Sequence, residues 1–160
     1  MLAPTMPQAE KNGFIPTLNK QGYMLSALDA YTQVFVDFSA TCALPAVDIG
    51  AAYGVTTLPA LKKGAHVIAV DLDAGHLDIL RRRAGSDGER LKTICAAFPE
   101  KLDFVPGSIG AVLAARVLHF LRPHQLEQAA QKLYTWLAPG GNFFLTAETP
   151  YLKNWKKFIP

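Results

Sequence analysis

Asp48, Gly50, Gly54 and Asp71 are the residues whose types and spacing could carry chemistry in this chain of 160 residues. Asp48 lies within an apolar run, Leu44 to Ile49, otherwise broken only by Pro45. The run gives way to Gly50-Ala51-Ala52-Tyr53-Gly54, a bend of small residues that lets backbone N–H groups approach a ligand. Asp71 closes a second apolar run, His66 to Val70, about 20 residues after the first glycine. An acid at that place suits a ribose diol, which it would meet with two charge-assisted hydrogen bonds.

Three elements must position these groups. Leu44 to Ile49 reads as a buried parallel strand, and His66 to Val70 as its neighbour. Between them Val55 to Lys63 reads as a helix with Leu58 and Leu61 on one face and Gly64 at its end. Pro59 fits that helix only in its first turn. Strand, glycine bend, helix, strand and terminal acid together describe a nucleotide-binding βαβ half. The plainer alternative is that any α/β protein needs tight turns and that Asp71 caps a helix.

The glycine spacing narrows the ligand. A dinucleotide-binding bend, G-x-G-x-x-G, would put a glycine at Val55, but the glycine falls at Gly54 instead. The pattern is D-x-G-x-A-x-G, which resembles motif I of the class I S-adenosylmethionine-dependent methyltransferases, with Ala52 in place of the middle glycine. The resemblance implies that Asp48, Gly50, Ala51, Ala52, Tyr53 and Gly54 surround the methionine and ribose part of that cofactor. The resemblance also implies that Asp71 takes the ribose hydroxyls and that Leu72 beside it belongs to the cofactor-binding residues.

Two later segments resemble the same family. IGAVLAARVLHFL is similar to its F-D-x-V-x-x-x-x-V-L-H-x-L stretch, with Gly110 in place of the acid. Ala115 and Arg116 would then line the cofactor, and His119 would either face the substrate as a base or fix the local helix. YTWLAPGGNFFLTAETPY resembles the L-x-P-G-G hairpin that leads into the family's fifth strand, and Tyr151, Glu148 and Thr149 beyond it are placed to touch a substrate or form an exposed turn. At the end of the third strand the family commonly carries an acid for the adenine amino group. Cys95-Ala96-Ala97-Phe98 offers none, so Ala97 and Phe98 would serve adenine through backbone N–H groups and the phenyl face.

The remaining chain supplies the frame. Met1 to Gly22, rich in Pro, Gly, Asn and Gln, reads as an N-terminal arm, loosely packed or folded over a pocket. Ser26 to Ala40 is helical, with Leu28, Tyr31, Phe35 and Phe38 recurring and Ser26 and Asp29 forming its cap. A helix from Asp73 to Ala84 turns Leu77 and Leu80 inward, and Arg81-Arg82-Arg83 complements its dipole rather than marking nucleic acid. Leu91 to Cys95, Ile109 to Ala115 and Asn142 to Ala147 read as strands three to five. Pro123 opens a helix with a Leu126, Ala130, Leu133, Leu137 stripe, stopped at Ala138-Pro139-Gly140-Gly141.

Half the residues are hydrophobic and 18% are charged, which argues for one folded core rather than disorder. A net charge of +3 gives no nucleic-acid signature. No apolar run is long enough for a membrane span, and Cys42 and Cys95 lack metal-ligand spacing, so no metal is expected and a cytoplasmic location is. The resemblance implies a Rossmann-like α/β three-layer sandwich, a mostly parallel sheet of order 3-2-1-4-5, over residues 23–160, with the arm as residues 1–22. Strands six and seven would be missing and the domain truncated, leaving an open sheet edge through which a homo-oligomer would form. The expected function is methyl transfer from S-adenosylmethionine to a small-molecule acceptor. The departures at Ala52, Ala96 and Gly110 support an alternative, a non-catalytic methyltransferase-like binding module.

Overall fold

The two apolar runs that carry Asp48 and Asp71 lie side by side as parallel strands, paired from Ala46 with Val67 to Ile49 with Val70. In the computed structural model, which describes residues 3–147, they are the third and fourth of seven strands. A short antiparallel hairpin comes first, β1 (Phe14–Pro16) and β2 (Tyr23–Leu25), followed by helix α1 (Ala30–Ser39). Then follow β3 (Ala46–Ile49), α2 (Thr57–Lys62), β4 (Val67–Asp71), α3 (Ala74–Ala84), β5 (Leu91–Cys95), β6 (Ile109–Ala115), α4 (Pro123–Trp136) and β7 (Leu137–Thr146). The main sheet is parallel throughout and runs β5-β4-β3-β6-β7.

This is a Rossmann-like α/β fold. Its strand labels differ from the expected 3-2-1-4-5 because the hairpin adds two strands ahead of Ala46. For the same reason strands six and seven are present rather than missing in chain order. The hairpin also spans the boundary expected after Gly22, and Ile15 and Met24 are buried against Ala52, Tyr53 and Ile79. Residues 14–25 are therefore packed against the domain, while residues 3–13 ahead of them stay mostly exposed.

The sheet is covered on both faces. On one, Val47, Ile49, Ile68 and Val70 meet Phe98, Leu102, Ala129, Leu133 and Trp136. On the other, Ala46, Val67, Ala111 and Leu113 meet Phe35 and Val36 of α1, Ala60 and Leu61 of α2, and Ala84 of α3. Strands buried on both sides read as near-continuous apolar runs, which is why β3, β4 and β6 were legible in the sequence.

Several element limits shift for local reasons. Helix α1 starts at Ala30 rather than Ser26, because Asp29 is the cap: its Oδ1 accepts the N–H groups of Tyr31 and Thr32 at 3.0 and 2.8 Å. Pro59 falls in the first turn of α2, where its missing N–H costs nothing. Along α4 the buried stripe is Ala129, Leu133 and Trp136, while Leu126 is exposed. Trp136 explains the rotation: its indole is fully buried and its Nε1–H donates to Asp103 at 2.8 Å. The chain then enters β7 directly at Leu137, with a register shift between Ile109 and Ala111 on its neighbour taking up the Pro-Gly-Gly step.

Candidate functional site

The carboxyl ends of β3, β4 and β6 open into a cavity of about 900 Å³, bounded on the far side by the hairpin. This is the crevice where open parallel sheets take ligands. Its floor is the bend after β3. Gly50, Ala52 and Gly54 all have left-handed backbone, with φ of 76°, 43° and 88°. The two glycines are also forced sterically. A Cβ on Gly50 would lie 2.5 Å from Val117 Cγ2, and one on Gly54 would lie 2.2 Å from Leu80 Cδ1. Ala52 meets the same backbone demand without being glycine, so it carries strain.

Asp71 is bound to this bend. Its Oδ2 accepts the Ala52 N–H at 2.9 Å, and its Oδ1 accepts the Asp73 N–H at 3.0 Å. Oδ1 also meets His76 Nδ1 at 2.9 Å. The side chain is nearly buried yet lines the cavity. A carboxylate has about four acceptor positions, and protein donors fill three here. Asp71 thus faces the cavity with room for one further donor, not the two expected of a ribose diol.

Asp48 also borders the cavity and is fully buried. Burial pushes its carboxyl up to about 6, against the Thr57 hydroxyl, which donates to Oδ2 at 2.7 Å. The nearby Asp71 charge adds to the rise. Arg116, at the end of β6, has a left-handed φ of 57° and lines the cavity. Its guanidinium donates to Asp29 Oδ2 at 2.9 Å, so one carboxylate caps α1 with one oxygen and holds Arg116 with the other. Burial alone would raise the Asp29 carboxyl, but the Thr32 N–H and the Arg116 guanidinium hold it below the usual range.

Of the expected site residues, Asp48, Gly50, Ala51, Ala52, Asp71, Leu72, Ala97, Phe98, Ala115, Arg116 and His119 line this cavity together. Tyr53 and Gly54 do not. Tyr53 is fully buried on the far side of the bend, with its hydroxyl donating to Pro16 O at 2.9 Å and its ring edge-on to His76 at 5.0 Å. Gly54 is filled against Leu58 and Leu80, a packing role. Phe98 reaches the cavity but is mostly buried beside Trp136, so it is a core residue as much as a cover. Gly110 is explained by packing, since a Cβ there would stand 3.0 Å from Cys42 Cβ and 3.1 Å from Leu44 O. Tyr151, Glu148 and Thr149 lie outside the described residues. No cluster of His, Cys, Asp and Glu suited to a metal occurs among the described residues.

Three contributions escaped the sequence reading. The hairpin supplies Phe14, Thr17, Asn19, Gln21 and Tyr23 to the wall. Asp29 joins through Arg116, and His76 joins through Asp71. Arg116 is the one Lys or Arg side chain lining the cavity among the described residues, against Glu10, Asp29, Asp48, Asp71 and Glu100. The cavity is acidic.

The chain is similar in sequence and fold to known proteins. A "Methyltransferase" of Claviceps purpurea (strain 20.1) is 32% identical over 96 residues, covering 60% of this chain and 29% of that protein. The CcbJ methyltransferase from Streptomyces caelestis has a similar fold, with TM-score 0.62 at 24% identity, covering 71% of this chain and 46% of that one. The glycopeptide N-methyltransferase MtfA, solved in complex with (S)-adenosyl-L-methionine, gives TM-score 0.56 at 23% identity, covering 70% and 50% of the two chains. The chain spans less than half the length of the curated relatives it matches. Residues 46–141, more than half of the sequence, match the family model described as a methyltransferase domain, and the chain belongs to that family.

Proposed function

We propose that the cavity binds S-adenosylmethionine and that the protein transfers its methyl group to a small-molecule acceptor. The observation that carries this reading is the Asp71 carboxylate, tied to the left-handed bend at Ala52 and still open to one donor from the cavity. The residues fit the cofactor. Gly50, Ala51 and Ala52 bring the backbone of the bend to the cavity wall, where small side chains let a ligand lie close to it. An excess of carboxylates suits a ligand that carries a sulfonium and an ammonium. Gly50 to Ala52 would face the amino-acid end, Asp71 one ribose hydroxyl, Leu72 and Ala97 the adenine edge, and Ala115 and Arg116 the floor beyond β6.

The chemistry the cofactor supplies is an electrophilic methyl, passed to an acceptor lone pair as the carbon–sulfur bond breaks to leave S-adenosylhomocysteine. The chain's own part is positioning and a dry, acidic wall. His119, on the cavity side of the turn after β6, is the candidate to take the acceptor's proton at a ring nitrogen. Its ring lies 4.2 Å from that of Phe120, which makes the acceptor end aromatic. Free thiols at Cys42 and Cys95 support a reducing, cytoplasmic setting.

The three protein donors already on Asp71 favour one competing reading, a methyltransferase-like module that binds the cofactor weakly and does not turn it over. Calorimetric titration with S-adenosylmethionine and S-adenosylhomocysteine tests both. Binding of either at micromolar concentration supports the cofactor site, and no heat at millimolar ligand removes it. Release of S-adenosylhomocysteine in the presence of acceptor mixtures then separates enzyme from module.

A further inference from the structure

His76 is buried to 1% exposure on the inward face of α3, beside Leu77 and Leu80 where a hydrocarbon would pack as well. Both of its ring nitrogens are used. Nε2 accepts the Leu18 N–H at 2.9 Å, so it carries no proton, and a neutral imidazole must then hold its proton on Nδ1. That Nδ1–H donates to Asp71 Oδ1 at 2.9 Å. The tautomer follows from the backbone donor at Leu18, since two N–H groups cannot face one another.

Leu18 sits in the turn of the N-terminal hairpin, between two residues that wall the cavity, Thr17 and Asn19. A single line of hydrogen bonds therefore runs from the hairpin turn through His76 to Asp71 and on to the Ala52 N–H. The wall and the floor of the cavity share one carboxylate. The Tyr53 hydroxyl on Pro16 O adds a second tie beside it.

We infer that His76 is a positioning residue that latches the hairpin onto Asp71, so that seating of the hairpin and binding of the cofactor reinforce each other. This rests on the cofactor reading above. Buried polar chains polarise from end to end, and a donor arriving at Asp71 from the cavity acts on the bonds that already hold it. Coupling of this kind is reciprocal: a cofactor that binds better with the hairpin seated must also hold the hairpin down.

Two full-length variants test the latch. His76→Asn keeps a donor for Asp71 but cannot reach Leu18, and His76→Phe keeps a ring and removes both bonds. Hydrogen–deuterium exchange of the segment covering residues 13–25 should speed up in unliganded His76→Asn relative to wild type. Addition of S-adenosylhomocysteine should slow that exchange in wild type, and its affinity should fall roughly tenfold in His76→Asn and further in His76→Phe. Unchanged exchange in His76→Asn overturns the latch, and unchanged affinity in both variants overturns the coupling. A wild-type chain that takes up no S-adenosylhomocysteine overturns the cofactor reading and the coupling with it, while the unliganded exchange still decides whether His76 holds the hairpin.

Discussion

The Asp71 carboxylate accepts the Ala52 N–H at 2.9 Å, joining the end of one strand to the bend that follows its neighbour. Asp71 thereby builds the site as well as lining it. Asp71→Asn keeps the shape but aims an amide N–H₂ at donors on Ala52, Asp73 or His76. Hydrogen bonds to a buried charge contribute about 1.5–3 kcal/mol each, so the loss in urea unfolding should be at least about 2 kcal/mol. Cofactor affinity should fall with it. A variant as stable as wild type would mean that these bonds do not hold the bend.

The bend itself makes opposite predictions at two positions. Ala52 has φ of 43°, so Ala52→Gly relieves left-handed strain of about 1–2 kcal/mol, offset in part by the freer unfolded chain. A net gain of up to about 1 kcal/mol, or several degrees in Tm, is expected. At Gly54, with φ of 88° and Leu80 Cδ1 2.2 Å from a Cβ, Gly54→Ala should cost more than about 2 kcal/mol. Thermal unfolding of the two variants checks both signs.

Asp48 sets a pH dependence. Burial raises its carboxyl from 3.8 to about 6, so the folded chain binds this proton more tightly than the unfolded chain does. Its contribution to stability is therefore fullest below about pH 4 and is lost as pH rises through about 6. Asp48→Asn removes the titration, and its stability relative to wild type should rise between pH 4 and pH 7 by about 2–3 kcal/mol. A cationic ligand beside Asp48 favours the charged form, so S-adenosylmethionine binding near pH 6 should release a fraction of a proton, seen as buffer-dependent heat. Heat independent of the buffer would place the ligand away from Asp48.

Asp29 separates a cap from an ion pair. Asp29→Asn keeps an acceptor for Tyr31 and Thr32 and weakens only the half-exposed bond to Arg116, at a cost below about 1 kcal/mol. Asp29→Ala loses the cap as well and should cost about 1–2 kcal/mol. Equal losses in denaturant unfolding would show that the cap contributes nothing.

How far the site was legible depends on how local its determinants are. The bend and Asp71 could be read because small residues, an apolar run and a terminal acid stand close together in sequence. The hairpin could not, since strands of three residues carry no period and their burial comes from Tyr53 and His76 far along the chain. Tyr53 looked like part of the ligand loop because it lies inside the motif, yet backbone geometry turns it to the far side. His76 gave only a weak signal, a polar residue on the inward stripe of α3 five positions after the acid. Gly110 and the α4 stripe depended on Cys42 and on Trp136 with Asp103, contacts that no local pattern reveals.

A structure of the protein with S-adenosylhomocysteine bound tests the cofactor site most directly. The expected result is one ribose hydroxyl within hydrogen-bond distance of Asp71, the amino-acid end over Gly50 to Ala52, and the Ala52 bond to Asp71 intact. A ligand seated elsewhere, or one at the bend with no contact to Asp71, would contradict it.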